Sequence, residues 1–414
     1  MSEKLLVKEL PNGMTLLGQP MNQVASAAMT FLVPAGSSHD QSEYAGSAAV
    51  ASEWIMRGAG LRDTRGLNDA LDSLGCRHNE QAQSEHIQLS NAQLGRNLAD
   101  VLRLLADVLR RPRLDDESFE TCRALALQDL QSLEDEPAQK VHLMLRERFY
   151  PAPLGRCLYG TEETLKSLSA KAVRRMIARH FVPRGSMLAV AGAFEWERLC
   201  SGVEELFGDW SAPEDEPLRT RAASGGVTHV HKESAQVHIA IAHKSVTAGD
   251  GGYYAARMAE ALLSGGMSGR LFTEVREKRG LVYHVSTRYH SLKDHAGMFT
   301  YAGTTPAKAQ ETLEVTVGEL RRLADGIGDD EIARARTQLK SALVMQGEST
   351  SARANALATD WYHLRRLRSL EEISAAIDGI TARQVLDYLK QHPAKDFTVL
   401  TIGPEPLKTE GIRQ

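Results

Sequence analysis

Ala27-Ala28-Met29-Thr30-Phe31-Leu32-Val33, followed after a loop by Ala45-Gly46-Ser47-Ala48-Ala49-Val50-Ala51-Ser52-Glu53-Trp54-Ile55-Met56-Arg57-Gly58, decides the fold of this chain. The first run is short, apolar and bounded by polar residues, which predicts a buried strand. The second is Ala-rich and free of proline, which predicts a helix. The same pair returns about 210 residues later: Ala235-Gln236-Val237-His238-Ile239-Ala240-Ile241-Ala242 reads as a strand, and Tyr253 to Leu263 as an Ala-rich helix. The far ends of the two halves also correspond. Thr161-Glu162-Glu163-Thr164-Leu165 leads through a helix to the strand Met187-Leu188-Ala189-Val190-Ala191-Gly192. Ser369-Leu370-Glu371-Glu372-Ile373 leads likewise to Phe397-Thr398-Val399-Leu400-Thr401-Ile402-Gly403. Matching order and spacing at both ends predict one fold written twice.

Each half reads as strand, strand, helix, strand, two or three long helices and a closing strand. Leu98, Val101, Leu102, Leu105, Val108 and Leu109 recur at helical spacing, and Pro112 stops that helix. Leu313, Val317, Leu320 and Leu323 repeat the pattern in the second half. Strands clustered with helices predict an α+β fold, each half a mostly antiparallel sheet with helices on one face, rather than a doubly wound parallel sheet. The expected halves are residues 1–210 and 227–414. Between them, residues 211–226 contain Ser211-Ala212-Pro213-Glu214-Asp215-Glu216-Pro217, an acidic, proline-bounded linker. Two similar halves on a linker predict a clam around a groove.

Composition narrows the function classes. A chain of 414 residues is expected to form more than one core. Its net charge of −4 gives no electrostatic reason to expect nucleic acid or an anionic membrane as partner. The four cysteines, Cys76, Cys122, Cys157 and Cys200, have no Cys-x-x-Cys spacing, so free thiols in a reducing compartment are expected. Met1-Ser2-Glu3-Lys4-Leu5-Leu6 lacks the pattern of a secretory signal, and no stretch approaches the roughly 20 apolar residues of a membrane span. A cytoplasmic location is the resulting expectation.

The residues that could carry chemistry fall in both halves. Ser264-Gly265-Gly266-Met267-Ser268-Gly269-Arg270-Leu271-Phe272-Thr273-Glu274-Val275-Arg276-Glu277-Lys278-Arg279-Gly280-Leu281-Val282-Tyr283 predicts a Gly-rich loop, a helix and a strand. Gly280 suits the position just after a helix, Lys278 and Arg279 suit its negative end, and Glu274 and Lys278 form an i,i+4 pair. On residue chemistry alone two readings stand. Arg276 and Tyr283 serve as a solvated helix residue and a sheet residue, or they project together as two hydrogen-bond donors toward a peptide carbonyl. In the first half, Ala49, Ser52 and Glu53 share one helical face at i, i+3 and i+4, the spacing of the zinc motif His-x-x-Glu-His. A methyl group cannot ligate zinc, and a hydroxymethyl group cannot serve as general base.

On these stretches the chain resembles the insulinase/pitrilysin-like zinc peptidases, or inverzincins. The likeness is to the branch containing mitochondrial processing peptidase and its bacterial two-subunit relatives, and it runs from about Leu5 to about Leu407. The resemblance implies that Arg276 and Tyr283 bind the substrate backbone and steady the tetrahedral intermediate. It implies that Ala49, Ser52 and Glu53 replace the zinc motif and that Asp129 stands where the family has its third ligand. Glu53 and Asp129 alone would make a hard, weak site poorly suited to zinc. It also implies a peptide-binding edge strand at about Gln81 to Ser90.

Three functions follow as expectations. The first is the non-catalytic subunit of a heterodimeric zinc metallopeptidase. In that reading zinc sits on a homologous partner with an intact His-x-x-Glu-His motif, this chain binds no metal, and an unfolded peptide is the substrate. The second is an inactive peptide-binding or scaffold protein of the same fold. The third is a stand-alone enzyme with a different centre. No Ser-His-Asp elbow, phosphate loop or dinucleotide fingerprint supports the third. The pairs His229/His231 and His290/His295 lack a third ligand at a convincing spacing.

Overall fold

The computed structural model describes residues 3–211 and 218–412. Residues 212–217 of the expected linker lie outside the described residues. Strands are β1 (Leu6–Glu9), β2 (Thr15–Pro20), β3 (Ser26–Val33), β4 (Gly58–Ala59), β5 (Arg62–Asp63), β6 (Arg77–Ala82), β7 (Ile87–Leu94), β8 (Met187–Gly192), β9 (Val227–His231), β10 (Val237–Ser245), β11 (Val282–Ser291), β12 (Ala296–Thr304) and β13 (Thr398–Gly403). The first half carries helices α1 (Ser47–Trp54), α2 (Thr64–Ser73), α3 (Leu98–Arg110), α4 (Asp116–Ser132), α5 (Pro137–Phe149), α6 (Glu162–Ser167), α7 (Ala170–His180) and α8 (Trp196–Phe207). The second carries α9 (Tyr253–Ser264), α10 (Ala309–Arg322), α11 (Asp329–Gly347), α12 (Thr350–Leu364), α13 (Leu370–Gly379) and α14 (Ala382–Gln391).

Two compact units result. One is built from Met1–Ser132, Arg156–Thr220 and Gln346–Ser369; the other from Leu133–Gly155, Arg221–Met345 and Leu370–Gln414. The sheet of the first runs β1-β2-β8-β3-β7-β6, and that of the second β9-β13-β10-β12-β11. Reading them side by side pairs β2 with β9, β8 with β13, β3 with β10, β7 with β12 and β6 with β11. Even the exception to antiparallel pairing is repeated, since β2–β8 and β13–β9 are the parallel neighbours. The α+β architecture in two similar halves is therefore as the sequence predicts.

Period-2 alternation explains the layers of the first unit. Phe31 and Val33 of β3 point into the main core with Leu188, Val190 and Trp54, whereas Leu32 faces the other way with Leu17, Met187 and Ala189. That second apolar face would cost dearly if left in water, so it too is covered. Leu357, Ala358 and Trp361 of α12 pack on it. In the second unit, α9, α10 and α14 supply the main core, and α5 lies on β10 and β13 with Val141 and Leu145 fully buried. The helices predicted on one face are there, and each sheet has one more on its opposite face. That extra helix is drawn in each case from the other half of the chain.

One placement differs from expectation. The edge of the first sheet is β6, Arg77–Ala82, which pairs with β7 alone. Gln81 to Ser90 instead spans the end of β6, the hairpin turn and the start of the interior strand β7. The single edge strand expected there is two strands and a turn, because pairing, not alternation, decides where a strand ends and which one lies outermost.

Candidate functional site

The first-unit site is organised by the start of α1. Its N-cap is Gly46, at φ 97°, a left-handed conformation that glycine adopts without strain and that provides no side chain to cap the helix. Asp40, six residues upstream, does that job. Its carboxylate accepts hydrogen bonds from the Gly46 and Ala48 N–H groups at 2.9 and 3.0 Å. Burial pushes the Asp40 carboxyl up to about 7, against the lowering pull of those N–H groups and Arg156.

From this anchor α1 turns Ala48, Val50, Ala51 and Trp54 into the core. The face left over carries Ala49, Ser52 and Glu53. These three line a cavity of about 270 Å³ with Asp129 of α4 and with Glu80, Gln81 and Ala82 of β6. All four positions singled out in the first half are thus brought together. Their chemistry does not fit zinc. Ser52 Oγ donates to the Ala49 carbonyl at 2.8 Å, and the Glu53 carboxylate accepts from Arg57 Nη2. Cys122 also lines the cavity, but burial raises its thiol to about 11, so it stays protonated at neutral pH. Among the described residues no group of three or more His, Cys, Asp or Glu is placed to hold a metal ion.

The second-unit residues sit around one helix-to-strand turn. Phe272–Glu277 is a π-helical turn, wider by one residue than an α-helical one. It closes through Gly280 N–H to the Arg276 carbonyl at 3.0 Å and Leu281 N–H to the Val275 carbonyl at 3.0 Å, with Gly280 at φ 58°. The Arg276 guanidinium lies over the Phe272 ring, 4.9 Å from its centroid. Arg279 and Lys278 are both tied to Glu274, at 2.8 and 2.7 Å, and hold its carboxyl down to about 2. Arg276 has no carboxylate partner among the described residues.

Tyr283 owes its exposure to a β-bulge. Val282 pairs with Thr304 and His284 with Gly303, leaving Tyr283 between them as the extra residue. A bulge re-aims a side chain out of the alternation. Tyr283 is accordingly 71% exposed, while Val282 and Val285 are buried. Sequence reading located the turn and both residues. It missed the π turn, the bulge, Phe272 as the platform for Arg276, and Asp40 as the cap. The Glu53–Arg57 pair was the one missed feature with a legible signal, its i,i+4 spacing.

The remaining groups noted in the sequence are accounted for locally. His229 Nδ1 meets Thr401 Oγ1 at 2.9 Å, His231 Nδ1 meets the Pro404 carbonyl at 3.0 Å, and His290 Nδ1 meets the Tyr150 hydroxyl at 2.6 Å. All four cysteines are free. No helix among the described residues is long and apolar enough to cross a membrane.

Comparison with known proteins gives consistent matches across the chain. The sequence profile described as insulinase (peptidase family M16) matches residues 17–162, and that described as the peptidase M16 inactive domain matches residues 167–339. A protein of Streptomyces coelicolor described as an uncharacterized zinc protease is 27% identical over 95% of this chain and 88% of its own length. One of Rickettsia bellii with the same description is 26% identical over 98% and 99%. Among solved structures, the peptidase M16 inactive domain from Pseudomonas fluorescens superposes with a TM-score of 0.89 at 18% identity, covering 98% of this chain and 99% of that one. A protease from Helicobacter pylori gives 0.89 at 17% identity, covering 98% and 100%.

Proposed function

We infer the function from the premise that the chain belongs to the insulinase, or M16, peptidase family, with an inactive-type C-terminal domain. It acts as the subunit without zinc in a two-subunit metallopeptidase. A homologous partner with an intact His-x-x-Glu-His motif supplies the metal, and this chain supplies Arg276 and Tyr283. Arg276 holds the backbone of an unfolded peptide, and the Tyr283 hydroxyl donates a hydrogen bond to the oxygen that gains charge as the scissile carbonyl is attacked.

The observation carrying this reading is a contrast within one chain. Glu53, the only carboxylate of the three α1 positions Ala49, Ser52 and Glu53, is engaged by Arg57 beside a methyl and a hydroxymethyl group. Arg276 and Tyr283, by contrast, are solvent-facing and have no carboxylate partner among the described residues. The test is reconstitution with such a partner and an unfolded peptide. Cleavage by the pair, lost in turnover but not in assembly when Arg276 or Tyr283 is replaced, supports the reading. Unchanged turnover in both variants favours a scaffold of the same fold instead.

A further inference from the structure

The α5-covered face of the second sheet holds a cluster of positive groups that none of the roles above uses. His142, Arg146 and Phe149 recur on α5 at i, i+4 and i+7, so they share one helical face. His142 lies over Tyr301 of β12, ring centroids 5.2 Å apart, and Phe149 lies over Phe299 of the same strand at 5.1 Å. Arg146 sits between them along the helix. On the sheet side, Ser286 pairs with Tyr301 and Arg288 with Phe299, and His284 pairs with Gly303. His284, Ser286 and Arg288 therefore stand in a row on this same face, beside the two aromatic rings. The His284 ring is 5.9 Å from that of Tyr301, whose hydroxyl is 2.8 Å from His238 Nδ1.

Among the described residues no carboxylate forms an ion pair with Arg146 or Arg288. The guanidinium groups of Arg146 and Arg288 have no ion pair or hydrogen bond among the described residues, although Arg146 is half-buried. Burial together with the fields of Arg288, Arg146 and His284 pushes the His142 imidazole below its ordinary range. Glu260, which also feels Arg288, is already bound by Arg257 at 3.1 Å. A permanent cation kept partly dehydrated at Arg146, with no counter-ion among the described residues and Arg288 nearby, is costly for the free protein, and an incoming anion relieves that cost.

The position of the cluster says what the anion is attached to. β11 is the edge strand of its sheet, and Tyr283 stands at its head. An extended peptide held at Tyr283 and running beside β11 turns every second side chain toward His284, Ser286 and Arg288. We propose that Arg146 and Arg288, with His142 and His284, form a carboxylate-selecting subsite that gives this chain a preference for peptides bearing Asp or Glu at alternate positions. The proposal rests on the reading of Arg276 and Tyr283 as peptide-holding groups and names the substrate class for it.

The test is fluorescence anisotropy of labelled peptides with the full chain alone. One peptide carries Glu at alternate positions, and its control carries Gln at the same places. The acidic peptide is expected to bind about tenfold more tightly at low salt, the advantage shrinking toward unity at about 1 M salt. R288Q, at an exposed position, is expected to cut that ratio about threefold, R146Q similarly, and R288K to retain it. Equal binding of the two peptides, with R276A weakening both, would overturn the subsite while leaving the peptide-holding reading in place. Binding of neither peptide by the folded chain would overturn both.

Discussion

The Glu53 carboxylate accepts a hydrogen bond from Arg57 Nη2, four residues on, and so the carboxylate nearest the lost motif is already neutralised by a cation of its own chain. A metal would have to displace that guanidinium and then rely on Asp129 without any imidazole. Oxygen-only ligation of that kind suits hard cations and binds zinc weakly.

Metal analysis of the purified chain is therefore expected to find far less than one zinc per molecule. One tightly held zinc that survives extensive dialysis would refute this. Glu53→Ala is expected to change thermal stability little, by less than about 1 kcal/mol, because the Glu53 side chain is 48% exposed and the pair is a local i,i+4 one.

With a zinc-bearing partner, Arg276→Ala and Tyr283→Phe are each expected to lower kcat by about 10²–10³-fold, the usual cost of losing one donor to a developing oxyanion. Melting temperatures should not move, since neither side chain supports the core. Steady-state kinetics beside calorimetry separates the two effects.

His243 makes the second unit sensitive to acid. Buried against Phe397, its imidazole is pushed down to about 4 by loss of solvation. The unfolded chain takes up a proton near the ordinary imidazole value, and the folded chain does not until much lower pH. The stability this group allows is complete above about pH 6.5 and falls as pH drops toward 4, by about 3 kcal/mol in all. His243→Phe is expected to flatten that decline in denaturant titrations at pH 7 and pH 4.5. An unchanged slope would count against it.

Asp40 acts with the opposite sign in the first unit. Its folded carboxyl titrates near 7, well above the ordinary carboxylate value of 3.8. Its contribution to stability is whole below pH 3.8 and is lost as pH rises through 7, at a slope of about 1.4 kcal/mol per pH unit. Asp40→Asn, neutral throughout, should remove that slope. Asp40→Ala should cost about 1–3 kcal/mol at any pH by leaving the N–H groups of Gly46 and Ala48 buried without an acceptor. Unfolding monitored between pH 5 and pH 8 checks both.

What could be read from the sequence followed from local pattern. The strands Met187–Gly192 and Thr398–Gly403 were visible as short apolar runs, and the Leu98–Arg110 helix as a leucine stripe broken by Pro112. The turn carrying Arg276 and Tyr283 was legible because a Gly-rich loop precedes it and Gly280 lies between the two residues, whereas their pairing rested on the resemblance. Asp40 was not, because a cap six residues ahead of its helix follows no fixed offset. Nor was the β6 edge, since any alternating strand can be inner or outer until its neighbours are known.

By itself, the sequence determined the duplicated α+β plan, the absence of a zinc-ligating side chain at Ala49 and of a general base at Ser52, and the turn that carries Arg276 and Tyr283. These are properties of residue type and short-range spacing, which no packing can alter. Only the tertiary structure decided that Glu53 shares a cavity with Asp129, that a bulge frees Tyr283, and that α5 brings Arg146 onto the face shared by Arg288. Each depends on which segments meet in space, and that is set by the burial of apolar faces over the whole sheet rather than by any neighbourhood along the chain.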